Sequence, residues 1–159
     1  MTQAFQLTGS KVTPAKGMYA DMPNLPQEHN VIFTSSTATD VLVAGDVVTL
    51  DTASTNTNAP VVKKAAATDA PYGVVIFDMV KSETKVGERV AIADNGDIIW
   101  LEAAGAIEVG DKVQFVAATT KVNDTTTQTN FYIGTAVTPA AADGDLLQIK
   151  LNLNLGAQA

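Results

Sequence analysis

The side chains able to do chemistry are few and scattered. The single histidine, His29, follows Glu28, a pair suited to acid–base work only if a serine or a second acid folds beside it. No Gly-x-Ser-x-Gly elbow, P-loop or Gly-x-Gly-x-x-Gly run is present, so the recognisable nucleophile and phosphate signatures are missing. A boundary histidine without chemical consequence is the plainer reading. Asp94, Asp97, Glu102 and Glu108 share one stretch and could pair as in glycoside hydrolysis. Asp94 and Asp97, however, flank Asn95-Gly96, where aspartate serves turn geometry, and Trp100 is the sole tryptophan, a poor sugar platform by itself. Asp143-Gly144-Asp145 and residues 94–97 offer calcium-type oxygens, but neither continues into a full calcium loop with its closing glutamate. With no cysteine, thiolate nucleophiles, disulfides and the usual structural zinc site fall together. The expectation is a protein that is not an enzyme, with no catalytic, cofactor-binding or metal-binding residues.

Composition narrows the partners. At 159 residues, 46% apolar and 17% charged, the chain can bury enough surface to fold as one domain. The net charge of −7 belongs to the body, because Lys11, Lys16, Asp21 and Glu28 cancel within residues 1–30. One arginine and no basic cluster beyond Lys63-Lys64 cannot neutralise a row of phosphates, so no nucleic acid is expected. The first residues lack the charged end and apolar run of a secretion signal, and no apolar stretch approaches a membrane span. A soluble species with no membrane partner is expected.

The elements that would position any site are strands. Residues 1–30 follow neither hydrophobic period and are broken by Gly9, Pro14, Gly17, Pro23 and Pro26, which predicts an extended N-terminal arm. From residue 31 to 159 short β segments alternate with Gly, Asn and Asp, predicting an all-β body, a small barrel or sandwich. Helix signals are nearly absent. Asn95-Gly96 predicts a type I′ hairpin joining strands 88–93 and 97–102. Near the C-terminus Leu147, Ile149, Leu151, Leu153 and Leu155 alternate with polar residues, a strand with one buried face and long enough for part of it to lie against another subunit.

A phrase, Gly-[Asp/Glu]-x-[Val/Leu]-x-[Leu/Ile/Phe], starts at Gly45, Gly87, Gly110 and Gly144. Glycine permits positive φ, the acid accepts bonds from nearby amides, and the aliphatics enter the core. A second phrase lies at 72–76 and 132–137, so that the order one, two, one occurs twice, with spacings of 65, 61 and 57 residues between corresponding glycines. Two readings stand side by side: a duplicated β unit, or common turn-to-strand grammar. The Thr- and Asn-rich stretches 52–58 and 124–130 read as solvated loop tips.

These phrases, Ala-Gly-Asp-Val-Val (44–48), Ala-Pro-Tyr-Gly-Val-Val (70–75), Lys-Val-Gly-Glu-Arg-Val-Ala (85–91), Ile-Gly-Thr-Ala-Val (133–137) and Ala-Asp-Gly-Asp-Leu-Leu-Gln-Ile-Lys-Leu (142–151), resemble the capsid decoration, or cement, proteins of tailed bacteriophages. The resemblance covers about residues 40–151 and leaves the arm out. It implies a small β protein made in the host cytoplasm and added to the outer surface of the virion head, where it bridges and stabilises neighbouring major capsid proteins. It implies a homo-oligomer, trimer favoured over dimer. The alternative is a carbohydrate- or receptor-binding β module, a head-fibre base or tail component, for which one Trp, three Tyr and five Phe are a thin supply. The candidate partner-binding residues are the arm's apolar groups, Met18, Tyr19, Met22 and Leu25, with Phe5 and Leu7 secondary; packing against the chain's own body is the competing role for each.

Overall fold

The computed structural model describes residues 13–20, 29–124 and 129–157. Among them are twelve strands and no helix: β1 (His29–Phe33), β2 (Val41–Leu42), β3 (Val47–Leu50), β4 (Val61–Lys64), β5 (Gly73–Val75), β6 (Thr84–Lys85), β7 (Arg89–Ala93), β8 (Ile98–Glu102), β9 (Lys112–Val116), β10 (Lys121–Asn123), β11 (Tyr132–Ala136) and β12 (Leu146–Leu151). The all-β expectation holds.

The strands that start each phrase are launched by one local device. At Gly45, Gly87, Gly110 and Gly144 φ lies between +86° and +93°, a region closed to most side chains. The acid that follows each glycine accepts a hydrogen bond from the amide three residues back: Asp46 from Val43 at 2.9 Å, Glu88 from Lys85 at 2.7 Å, Asp111 from Glu108 at 2.8 Å and Asp145 from Ala142 at 2.9 Å. Its own amide donates back to the same residue's carbonyl at 3.1 to 3.3 Å. Each acid thus locks the turn that feeds its strand.

A fifth copy corrects the hairpin. Asp97 accepts from the Asp94 amide at 2.9 Å around Gly96 (φ +90°), while Asn95 is not among the positive-φ residues. A type I′ turn needs both central residues there; one positive φ at the second position is the type II pattern. The two flanking strands exist but do not pair. β7 bonds to β1 and β5, and β8 bonds to β12, so Asn95-Gly96 carries the chain from one sheet to the next.

The first sheet is a closed barrel in the order β1-β4-β3-β5-β7, with β2 and β6 as a two-stranded flap. The second runs β10-β9-β11-β12-β8, and a parallel bridge from Ala103 to Val122 joins its edges. Starting the barrel at β4 gives β4-β3-β5-β7-β1, which matches the second sheet strand for strand. The backbone bonds match as well. Gly45 donates to Val75 at 2.8 Å and Gly110 to Ala136 at 2.9 Å; Thr34 donates to Val62 and Ala104 to Val122, both at 2.8 Å. One β unit is built twice, with Gly73 and Gly134 at equivalent places.

The cores explain why strands of the barrel are apolar on both faces. Val31, Phe33, Val48, Val62, Val75 and Ile92 fill the barrel. Val47, Val74 and Ala93 point the other way and join Ile99, Leu101, Phe115, Ile133 and Leu147 in a shared cluster. Each fully buried aliphatic contributes about 1.5–3 kcal/mol, so the shared cluster makes the two units one folding body. The final strand stops at Leu151. The chain then turns, Leu153 stays buried, and its amide donates to Asn95 Oδ1 at 2.6 Å, which ties this end of the alternation to the turn after β7.

Candidate functional site

Of the carboxylates that could have done chemistry, Asp94, Asp97, Glu102, Asp143 and Asp145 are bound up in structure. Asp94 and Asp97 close the interunit turn described above. Glu102 and Asp143 both pair with Lys121, at 2.8 and 2.9 Å, and these bonds, Asp143 first, raise the lysine above its ordinary pKa. Asp145 Oδ2 accepts from Ala141 and Ala142, each at 2.9 Å. Glu108 precedes the Gly110 turn and donates its amide there. Among the described residues no group of three or more acids and histidines is placed to hold a metal ion. His29 opens β1 opposite Ile92, and Glu28 lies outside the described residues.

Two of the six arm anchors, Met18 and Tyr19, can be placed; Phe5, Leu7, Met22 and Leu25 lie outside the described residues. Met18 and Tyr19 are half-buried in a short stretch laid along β8. Gly17 donates to the Trp100 carbonyl at 2.7 Å, Trp100 donates to Met18 at 2.8 Å, and Ala20 donates to Ile98 at 2.7 Å. Tyr19 faces Ile99 in this ladder and packs on the shared core. The same stretch reaches the barrel, because the Phe77 amide donates to the Gly17 carbonyl at 2.9 Å. Residues 15–20 therefore clasp the two units together.

Charge collects under this clasp. Asp46 is fully buried. Its Oδ2 meets Lys64 Nζ at 3.2 Å, and its Oδ1 has no hydrogen-bond partner. The Lys16 side chain crosses the Gly45 turn so closely that a Cβ there would lie 2.3 Å from its Cε, and its ammonium donates to Thr120 Oγ1 at 2.7 Å. Burial pushes the Lys16 pKa down, opposed by the negative charges of Asp46 and Glu102. The cluster ties the arm to both units electrostatically.

The most exposed apolar group was not anticipated from sequence. Between β5 and β6, Phe77 is 40% exposed, Met79 90% and Val80 96%. Asp78 shapes this tip, its Oδ1 accepting from Val80 at 2.7 Å and from Lys81 at 3.3 Å. Lys81 in turn grips Glu88 at 2.5 Å, which holds the Glu88 carboxyl below the ordinary range. A groove of about 590 Å³ runs beside it, with Leu42, Val43, Ile76 and Val90 among its lining. A smaller bare patch, Val109 (62%) and Val137 (39%), sits on the second unit. One sequence signal pointed to the tip: fourteen residues separate Gly73 from Gly87, and ten separate Gly134 from Gly144.

Comparisons with known proteins agree with this architecture. The family model described as phage cement protein matches residues 26–153. The crystal structure of the head fiber gp8.5 N base in bacteriophage phi29 superposes with a TM-score of 0.53, covering 83% of this chain and 97% of that one at 16% identity; at that identity the likeness speaks for the fold alone. No curated protein matches.

Proposed function

Because this chain belongs to the phage cement protein family, whose members are structural components of the capsid, we propose that it binds the exterior of an assembled phage head and stabilises contacts between neighbouring major capsid proteins. The observation that carries the reading is the family match, which runs from before β1 to beyond β12 and so takes in both units. The structure supports it physically. A closed barrel and a five-stranded sheet share one apolar cluster and are cross-tied by residues 15–20, a body suited to bridging, and Asp97, Glu102, Asp143 and Asp145 are used to lock turns and form ion pairs.

The protein acts as a homo-oligomer, a trimer in preference to a dimer. Once one subunit is docked, the others bind at an effective concentration on the order of mM, so weak contacts sum to durable attachment. In this reading residues 1–30 form the arm and residues 31–159 the adhesive body. The apolar groups Phe5, Leu7, Met22 and Leu25 provide further anchors to the shell, while Met18 and Tyr19 hold the root of the arm on its own body. Fully extended, the 14 residues ahead of the clasp would reach about 50 Å from it.

The test is reconstitution. Heads of the parent phage lacking this protein are mixed with purified chain and pelleted, and the temperature of DNA release is then measured. Co-sedimentation to saturation with a raised release temperature is expected. Failure to pellet with heads would remove the cement reading. Deletion of residues 1–12, which precede the clasp, should leave a folded body with weaker binding; undiminished binding would remove Phe5 and Leu7 from the contact.

A further inference from the structure

We propose that the tip formed by residues 77–80 is the knob through which the body grips the shell, with Met79 and Val80 seating in an apolar recess of the capsid protein. The inference rests on the cement reading and adds the surface that makes the contact.

Three observations carry it. The tip is an addition to the duplicated frame. The segment from Gly134 to Gly144 makes the same connection in ten residues, through Pro139 and Ala140, and still joins its strands in the same order. The extra length in the first unit is therefore not needed to build the sheet. It is also apolar where folding gives no reason for it: Met79 and Val80 are 90% and 96% exposed in a chain of net charge −7, and adjacent large apolar groups left bare mark contact surfaces.

The tip is moreover pre-shaped. The Asp78 carboxylate accepts from two amides of the turn, and the Lys81–Glu88 ion pair fastens its base. A pre-formed knob binds without the ordering cost of a loose loop.

The shape selects the occupant. A convex apolar tip requires a concave apolar receptor. The groove beside it on this chain is lined by Leu42, Val43, Ile76 and Val90 but also by Lys16, Lys81, Glu83 and Arg89, so the tip of a second copy would have to desolvate those charges on entering. The capsid protein is the partner that the family supplies.

The experiment compares wild type, the double variant Met79→Ser/Val80→Ser, and Val109→Ser as a control for apolar surface in general. All three are pelleted with parent heads lacking this protein and sized by light scattering in solution. Both tip side chains are almost wholly exposed, so the double variant should melt as wild type does. It should pellet at least about tenfold less well, with the solution oligomer unchanged and Val109→Ser binding normally. Equal pelleting of the double variant and wild type would overturn the proposal and leave the cement reading standing, whereas failure of wild type itself to pellet would remove both. Dissociation of the solution oligomer by the double variant would assign the tip to contacts between copies and overturn it.

A second arm is independent of substitution effects on folding. The chain has no cysteine, so Met79→Cys can be labelled alone. A bulky maleimide on that residue should block pelleting, and pelleting of the fully labelled protein would equally overturn the proposal.

Discussion

The two β units share a strand order and a turn chemistry, yet they are dressed differently. The first is closed, carries the longer connection with the bare tip, and lies under residues 15–20 on one side. The second is joined at its edges by one bridge, has the shorter connection, and leaves Val109 and Val137 open where its counterpart has Ala44 and Ile76 beside the clasp. Repetition supplies the scaffold, and function has been added by breaking the repeat.

Matched substitutions in the two units sharpen that contrast. The largest difference should come from Gly73 and Gly134. A Cβ at Gly134 would lie 2.3 Å from the Lys150 carbonyl oxygen, which is backbone, whereas at Gly73 the nearest atom is the side-chain end Ile92 Cδ1 at 2.5 Å and the nearest backbone atom, the Ala93 carbonyl oxygen, is 3.0 Å away. Gly134→Ala should cost about 3 kcal/mol and Gly73→Ala about 1 kcal/mol in urea denaturation. Equal losses would mean that the packing around the two glycines does not differ as described.

Next comes the clasp. Gly17 and Gly96 both have positive φ, so alanine strains both, but only at Gly17 does a Cβ collide, 2.8 Å from the Ala44 Cβ. Gly17→Ala should be the more destabilising by about 2 kcal/mol. Matching values would show residues 15–20 undocked in solution.

Asp46 and Asp111 occupy the same turn position, but Asp46 is fully buried beside Lys64 and under Lys16, while Asp111 is half-exposed. Asp46→Asn should cost about 1–2 kcal/mol, discounted because Lys64 reaches solvent, and Asp111→Asn about 0.5 kcal/mol. Thermal melting of both variants at one pH checks the order.

The smallest effect concerns the base of the tip. The Lys81 bond holds the Glu88 pKa below its usual 4.5, so its stabilisation is present above that value and is lost as pH falls through the lower, folded one. Glu88→Gln should lower the melting temperature slightly at pH 7, and the gap should close as the pH falls through the folded value. A gap that persists in acid would assign the effect to turn geometry instead of charge.

Much of the fold could be read from the sequence because it is written in short-range chemistry. A glycine followed by an acid specifies its own turn, and both the turn and the strand after it are local. The same locality misled at Asn95-Gly96. The dipeptide announces a turn, but which strands pair across it is decided by the shared core, where Ala93 and Ile99 meet from different sheets. The repeated phrases left duplication and common grammar equally open; the strand order of the two sheets is a tertiary property that decides between them. The arm's apolar residues were legible as a group, but no pattern in Met18 or Tyr19 says that β8 has a free edge to receive them. Met79 and Val80 look in sequence like core residues. Only the shorter counterpart in the second unit marks them as surplus to the fold.

The central claim is adhesion to the outside of an assembled shell. Cryo-electron microscopy of heads saturated with the purified chain tests it most directly. Density for the closed barrel and its companion sheet is expected on the outer surface at junctions between capsid proteins, repeated over the lattice. Heads that remain bare at saturating protein, or density confined to the tail, would contradict it.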